Sequence, residues 1–367
     1  MSTPALFGPL PPPRHPGLDG ARGFAVVAMV LGHTLDAVLA VSERSGYWIQ
    51  RYWEMRGITA PLFLLVAGWA VVTALGSHPD AARSSFGKRM RRGLLLLFLG
   101  YGLMWPGWSA VLDMGWGQPL AARLFAFDVL PCIGLSLMLG AFALMLANGM
   151  LSRALVLGAL AIGIPLASSS VWGLSEHLPV VLSNALGSAT TKFPLFPWAG
   201  YFFAGALAAH LMRQLLPGWP QSLAIGALGL GLLLLSYMLT PHWEPHSGWV
   251  VLHRVGQGLL MLGALCLMPR RVSRVLSPFG RNSLWIYVLH IPVVYGWAGI
   301  NGLAYRVGPT LSLTAALSLG VGILLASFAI TRGMQALKRR LLGFRPGAPS
   351  LPPAGVSAAA RMSRAGL

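Results

Sequence analysis

An arginine and a histidine stand eleven positions apart in the first apolar segment of the chain, at Arg22 and His33. An α-helix advances 100° per residue, so this spacing returns the two side chains to nearly the same helix face. Their axial separation is about 16 Å at 1.5 Å per residue, roughly half of the hydrocarbon thickness of a bilayer. Ionisable groups in a spanning helix are costly and by default indicate function. The spacing predicts a guanidinium near one membrane surface and an imidazole near mid-depth.

Two carboxylates extend this polar face of the same helix. Asp19 precedes Arg22 by three positions and Asp36 follows His33 by three, a spacing at which helix side chains are neighbours. We predict that Asp36 orients the imidazole of His33 and selects its tautomer. An oriented imidazole is suited to general base catalysis or to nucleophilic attack on a thioester. The competing interpretation is a histidine that only packs against a neighbouring span.

A strongly basic loop lies near the second span and is predicted to act together with Arg22. Guanidinium groups bind phosphate oxygens through paired hydrogen bonds, so the two elements together can bind phosphates on the cytoplasmic side, with Asp19 beside Arg22. Alternatively, Arg22 is an anchor that reaches to the interface, and the loop only sets the topology. The loop residues are Lys88, Arg89, Arg91 and Arg92.

Three further residues are candidates for lining an internal cavity. Asp128 opens an apolar segment, where an aspartate can also be a simple helix N-cap. Arg254 follows a histidine near the end of another segment, where it can either reach to the interface or line an acceptor cavity. His290 lies two residues before Pro292, and a helix broken by proline often lines a cavity.

No metal site or disulfide framework is expected. His242, Glu244 and His246 alternate in a short loop, and we interpret this loop as a solvated turn rather than a metal site. Cys132 and Cys266 both fall in apolar segments, where they are expected to be small buried residues.

The composition indicates a membrane protein. Apolar residues make up 55% of the 367 residues and charged residues only 10%, whereas a soluble domain of this length needs more charge on its surface. The net charge of +18 does not indicate nucleic-acid binding, because the basic residues sit in short loops between apolar segments. Hydropathy predicts an all-α, polytopic membrane bundle of about ten transmembrane helices. The predicted spans are 21–41, 57–76, 93–113, 124–147, 154–171, 193–212, 221–240, 249–268, 283–305 and 311–331.

Loop charges predict the orientation in the membrane. Most of the 27 lysines and arginines fall in one set of loops and in the C-terminal tail, which places both termini in the cytoplasm of a multi-pass protein of the cytoplasmic membrane. The expected domains are a Pro-rich N-terminus (1–20), a transmembrane domain (21–335) and a basic, disordered tail (336–367). The opposite loops hold Arg44, Arg51, Arg56, Arg123, Lys192 and Arg306.

The stretch 18–23 (LDGARG), continuing to His33, resembles the opening of acyltransferase family 3, whose hallmark is an arginine, ten residues and a histidine. The chain also resembles a sister branch, the catalytic domain of heparan-α-glucosaminide N-acetyltransferase. The stretch 280–290 (GRNSLWIYVLH) resembles a late helix common to both. The stretches that resemble the sister branch are 61–68 (PLFLLVAG), 127–134 (FDVLPCIG) and 196–201 (FPWAGY).

This resemblance implies an integral membrane acyltransferase. Such an enzyme takes an acyl group, usually acetyl, from cytoplasmic acyl-CoA as co-substrate and has no permanently bound cofactor. The acceptor is a hydroxyl or amine of a glycan or lipid on the far side of the membrane. His33 matches the essential histidine of the family, and Arg22 matches its paired arginine. The alternatives are a multi-span transporter of a small polar or anionic solute and a non-catalytic scaffold or lipid-binding protein.

Overall fold

The protein is described here by a computed structural model covering residues 16–75, 81–188, 191–213, 215, 218–239 and 247–341. Apolar helices dominate it, which confirms the predicted all-α bundle. The helices are α1 (Pro16–Val38), α2 (Tyr47–Arg56), α3 (Thr59–Thr73), α4 (Ala81–Leu103), α5 (Trp108–Met114), α6 (Gln118–Leu124), α7 (Val129–Leu146), α8 (Met150–Ser175), α9 (Val180–Leu186), α10 (Leu195–Met212), α11 (Trp219–Leu239), α12 (Gly248–Cys266), α13 (Arg270–Arg281), α14 (Ser283–Tyr295), α15 (Leu303–Arg306) and α16 (Leu313–Leu341). A two-stranded hairpin, β1 (Gly296–Trp297) and β2 (Ile300–Asn301), and a short 3-10 helix, Val41–Ser45, complete the described elements.

Each of the ten predicted spans contains a helix. In the part of the chain that the structure describes, eight helical segments are long and apolar enough to cross a membrane. The third predicted span is instead a broken one, because α4 and α5 meet at an angle of 72°. Gly107, with φ of 94°, stands at this break, in a backbone conformation that side chains disfavour.

The ninth predicted span differs most from expectation. α14 ends at Tyr295 after 13 residues, which is about 20 Å of helix and less than a bilayer core. The chain then continues through the hairpin and α15. By Leu311 it has reached the far end of α1, where its N–H donates to Val38 O over 2.9 Å. α14 itself begins just after Gly280, which touches Asp19 near the start of α1. The segment from α14 to Leu311 therefore runs the length of α1 as a helix followed by a hairpin.

Small residues bring the central helices into close contact. A Cβ placed on Gly68 of α3 would overlap the carbonyl oxygen of Phe202 in α10, and one on Gly205 of α10 would overlap the carbonyl oxygen of Leu65. Without a hydrophobic driving force between spans, close backbone approach of this kind provides the packing energy. A similar close backbone contact occurs between α1 and α13, where a Cβ on Gly23 would overlap the carbonyl oxygen of Leu276.

Burial separates the central helices from the peripheral ones. In α10, 67% of the most apolar window is buried within the protein, against 22% in both α8 and α11. α1 packs against α13, α14, α16, α12 and α3, so the helix with Arg22 and His33 is surrounded by other helices. The polar face predicted from the sequence can therefore meet protein rather than lipid.

The first and last helices extend beyond the predicted transmembrane domain. α1 already begins at Pro16 and α16 continues to Leu341, so residues 336–341 of the predicted tail are helical. Basic side chains in the last turn of α16 are favourable for a helix C-terminus, which explains this extension. The remainder of the predicted tail, 342–367, lies outside the described residues, as do His242, Glu244 and His246.

Candidate active site

A cavity of about 1520 Å³ lies between α1, α3, α4, α7 and α14 and is bounded in part by the hairpin. Arg22 and His33, on the polar face predicted for α1, both line it. Asp36 lines it as well. Spacing along a single helix therefore identified side chains that face one internal space. Ionisable residues that line the cavity are Arg22, His33, Asp36, Lys88, Arg89, Arg92, Arg123, Asp128, Lys192, Arg281, Tyr287 and Tyr295.

One end of the cavity is strongly basic. Its cationic lining residues are Arg22 of α1, Lys88, Arg89 and Arg92 of α4, and Arg281 at the end of α13. Two residues predicted for this end do not line the cavity. Asp19 and Arg91 are not among the lining residues, and Arg91 is exposed. Arg91 follows Arg89 by two positions, which on a helix turns a side chain by about 200°.

Arg89 is the most buried cation of this end, with 8% of its surface exposed. Its Nη2 donates to Val71 O near the end of α3, over 2.9 Å. Its Nη1 is buried and has no hydrogen-bond partner among the described residues. A buried guanidinium with an unsatisfied N–H is costly, unless an anion accepts that hydrogen bond.

His33 pairs with a second histidine across the helix interface. Its Nδ1 lies 3.0 Å from Nε2 of His290 in α14, and the two rings are nearly coplanar, with 17° between their planes. Tyr295 packs edge-on against the His33 ring, with the centroids 5.6 Å apart. The contacts of Nδ1 therefore connect His33 with α14. The predicted orienting role of Asp36 stays a prediction, and the carbonyl oxygen of that residue accepts a hydrogen bond from Arg44 Nη2.

His290 is completely buried and does not line the cavity itself. Its Nδ1 lies 2.9 Å from the carbonyl oxygen of Ile286, one turn earlier in α14. The sequence suggested His290 as a cavity residue because Pro292 follows it. Its position is instead directly behind His33, on the protein side.

Asp128 and Tyr287 form a second polar pair at the cavity wall. Tyr287 Oη donates to Asp128 Oδ2 over 3.1 Å, and Asp128 Oδ1 accepts from the backbone N–H of Val129 over 2.7 Å. Asp128 is thus both the N-cap of α7 and a cavity residue, so both of its interpretations hold. The Tyr287 ring also packs edge-on against His290, with 5.5 Å between centroids. The two polar pairs therefore form one cluster of four side chains.

The position of this cluster along the bundle follows from the packing of α4 against α7. Gly93 contacts Gly134 and Gly100 contacts Pro131, so the two helices run in opposite directions. Asp128 lies three residues before Pro131, so the start of α7 lies about three turns of α4 from Arg92, or about 16 Å at 1.5 Å per residue. This distance is similar to the axial separation of Arg22 and His33. The Asp128–Tyr287 pair and His33 are therefore displaced by similar distances from the basic end of the cavity.

Arg254, the third cavity candidate, is not a lining residue. Its Nη1 donates to Gln257 Oε1 over 2.9 Å. A Cβ on Gly57, which does line the cavity, would lie 2.7 Å from Arg254 Nη2. The arginine therefore supports the cavity wall from behind, at the junction between α2 and α3.

Two site residues were missed from the sequence. Arg281 stands in the sequence only within the stretch 280–290, and it follows Gly280, whose close contact with Asp19 brings the end of α13 to the start of α1. Tyr287 was noted only as part of a motif. A polar residue one turn before His290 in an apolar helix is a usable signal for Tyr287, because side chains at i and i+3 share a face.

The family model of the acyltransferase domain matches residues 15–332. The chain belongs to acyltransferase family 3. The match begins at the first turn of α1 and ends within α16, so this acyltransferase domain includes every helix that lines the cavity. A search of curated proteins finds no match to the chain. Family membership supports a membrane acyltransferase, and the arginine–histidine pair of its hallmark is the pair that lines the cavity here.

Proposed function

We propose that this acyltransferase moves an acyl group from acyl-CoA, acetyl-CoA in particular, to a hydroxyl or amine of a glycan or lipid. The observation that supports it most is the continuous lining of one cavity, from the basic end at Arg22 and Arg89 to the imidazole of His33. The donor binds at the basic end and the acceptor approaches from the opposite end. Loop charges favour a cytoplasmic basic end and two cytoplasmic termini. The closer kinship with the heparan-α-glucosaminide N-acetyltransferase branch is part of this proposal.

The chemistry of coenzyme A fits the charge distribution along the cavity. Its phosphates need cationic hydrogen-bond donors, and guanidinium groups bind such oxygens in pairs. The thin pantetheine arm then extends away from the phosphates towards His33. The axial distance between Arg22 and His33, about 16 Å along the helix, is a distance that only an elongated donor can cover.

Two balanced reaction sequences are open to His33. As a general base, it takes the proton of the acceptor hydroxyl while the acceptor oxygen attacks the thioester carbonyl carbon. The tetrahedral intermediate then breaks its carbon–sulfur bond, and the imidazolium returns the proton to the leaving thiolate. As a nucleophile, the imidazole nitrogen attacks the carbonyl carbon and CoA leaves as its thiolate. The acceptor then displaces the acyl group from nitrogen, and the acceptor's proton passes to the freed imidazole and from there to solvent, which balances the released thiolate. Incubation with donor alone distinguishes them, because only the second sequence yields an acylated His33 detectable by mass spectrometry.

Label transfer tests the proposal. Membrane vesicles from the cells that naturally make the protein supply the unidentified acceptor, and [14C]acetyl-CoA is the donor probe. We expect the wild type to transfer label to lipid or glycan fractions and to release CoA thiol. His33→Ala should lose about 10²- to 10⁴-fold in rate. His177→Ala is the matched control, because His177 is exposed in the turn after α8, and it should keep the wild-type rate.

Two outcomes would refute the proposal. Transfer by His33→Ala at the wild-type rate would exclude His33 as the reacting group. Accumulation of intact labelled solute inside the vesicles, without transfer, would favour a transporter.

A further inference from the structure

The hydrogen bonds behind His33 specify which ring nitrogens are protonated. His290 Nδ1 lies 2.9 Å from the carbonyl oxygen of Ile286, and a carbonyl oxygen can only accept. Nδ1 of His290 must therefore be the N–H, and a neutral imidazole has only one. Nε2 of His290 is then an acceptor, so the proton of the 3.0 Å contact belongs to Nδ1 of His33.

We propose that His290 is a positioning residue that holds His33 in its Nδ1–H tautomer and so makes Nε2 the reacting nitrogen. This inference rests on the proposed function and assigns a role within the same site. His33 lines the cavity, whereas His290 is fully buried behind it. His290 therefore acts on substrates only through the ring of His33.

A neutral histidine is a suitable partner at this depth. In serine hydrolases a buried aspartate performs the orienting task for the catalytic histidine. Burying a carboxylate in an apolar interior is expensive, whereas the His290 ring is neutral and its second nitrogen is satisfied within its own helix. The in-plane contact, with 17° between the rings, and the edge-on packing of Tyr287 and Tyr295 restrict rotation of both imidazoles.

The hydrogen-bonded chain ends at the carbonyl oxygen of Ile286, which is too weak a base to take a proton. When His33 accepts a proton at Nε2 during the reaction, its Nδ1–H remains bound to His290, and this hydrogen bond then has a cationic donor. Charge-assisted hydrogen bonds are about twice as strong as neutral ones. His290 therefore stabilises the imidazolium that forms in the transition state more than the neutral ring that precedes it.

Two substitutions at His290 separate this role from simple packing. In His290→Gln, the side-chain amide keeps one acceptor oxygen for His33 Nδ1–H and one donor group for the Ile286 carbonyl. In His290→Leu, both hydrogen bonds are lost at similar side-chain size. We expect kcat to fall about tenfold to hundredfold in the leucine variant and to be partly restored in the glutamine variant. The KM for acetyl-CoA should stay unchanged, because His290 does not line the cavity.

A matched control exists elsewhere in the bundle. His210 of α10 is also buried, at 5% exposure, and its Nε2 lies 2.9 Å from Met150 O. His210 is not a lining residue of the cavity. His210→Gln should therefore leave kcat and KM at their wild-type values.

The tautomer can be measured without any turnover. In 15N-histidine-labelled protein in lipid bilayers, solid-state NMR distinguishes protonated from unprotonated ring nitrogens, and His33→Ala identifies the His33 signals. We expect Nδ1 of His33 to be protonated and Nε2 unprotonated in the wild type and in His290→Gln. A wild-type His33 protonated at Nε2 in its neutral form would overturn the inference, as would an unchanged kcat in a folded His290→Leu protein.

The two proposals fail separately. If the tautomer is found as expected but no acyl transfer occurs, the proposed function fails while the arrangement of the histidines stands. If transfer depends on His33 but His33 is protonated at Nε2, the role of His290 fails alone. Should His290→Leu not fold, the spectra of the wild type and of His290→Gln still decide.

Discussion

The guanidinium of Arg89 offers the sharpest test of donor binding. It is 8% exposed, lines the basic end of the cavity and has one buried N–H group, on Nη1, without a partner among the described residues. A bound phosphate would supply the missing acceptor. We therefore predict that Arg89→Met weakens the binding of coenzyme A, while Arg89→Lys keeps the charge but loses one of the two hydrogen bonds.

The size of the effect follows from the single contact that is lost. Removing a hydrogen bond that involves a charged group costs about 1.5 to 3 kcal/mol, which corresponds to about a tenfold to hundredfold increase in Kd. Arg89→Lys should fall between the wild type and Arg89→Met. The lysine ammonium can bind either Val71 O or a phosphate oxygen with good geometry, whereas the planar guanidinium reaches both.

Isothermal titration of the purified protein in nanodiscs with coenzyme A measures this Kd. Arg91→Met is the matched control, because Arg91 lies two positions away on the same helix, has the same charge and is exposed outside the cavity lining. It should bind coenzyme A as tightly as the wild type. Equal losses in Arg89→Met and Arg91→Met would mean that only the overall charge of the loop matters, and no loss in folded Arg89→Met would refute a phosphate at this position.

Two further predictions concern the stability of the bundle. Tyr287→Phe removes the donor to Asp128 Oδ2, so the free energy of unfolding should fall by about 1 to 3 kcal/mol; denaturant unfolding in detergent that shows no change would contradict the importance of this pair. Gly68→Ala places a Cβ against the carbonyl oxygen of Phe202 and should lower the unfolding temperature by separating α3 from α10. Gly163→Ala in α8 meets no atom within 4 Å and should unfold no earlier than the wild type, and equal unfolding temperatures for the two alanine variants would contradict close packing at Gly68.

Local sequence was enough to predict the class of fold and the polar residues of one helix face. Apolar length identifies spans because no backbone polar group can stay unpaired in lipid. Each of the ten predicted spans contains a helix, but within the described residues eight helical segments are long and apolar enough to cross a membrane. Helix periodicity also depends only on the local sequence. The spacing of Arg22 and His33 was therefore sufficient to predict one shared face, and both residues line the same cavity. Predictions that rested only on local hydropathy and local spacing were wrong or incomplete at three places. α14 ends early at a hairpin, and Asp19 and Arg91 lie outside the cavity lining.

The side chains that meet across helices could be identified only from the packing of the helices. His33 and His290 are separated by 257 positions, and Asp128 and Tyr287 by 159. Nothing in either local sequence specifies the partner, because the pairing depends on which small residues allow two helices to approach. Gly23 and Gly280 hold α13 against α1, and this contact fixes where α14 begins and therefore which of its side chains lies behind His33. The local sequence placed His33 on the polar face of one helix, and the packing of a distant helix supplied the contact between its Nδ1 and His290.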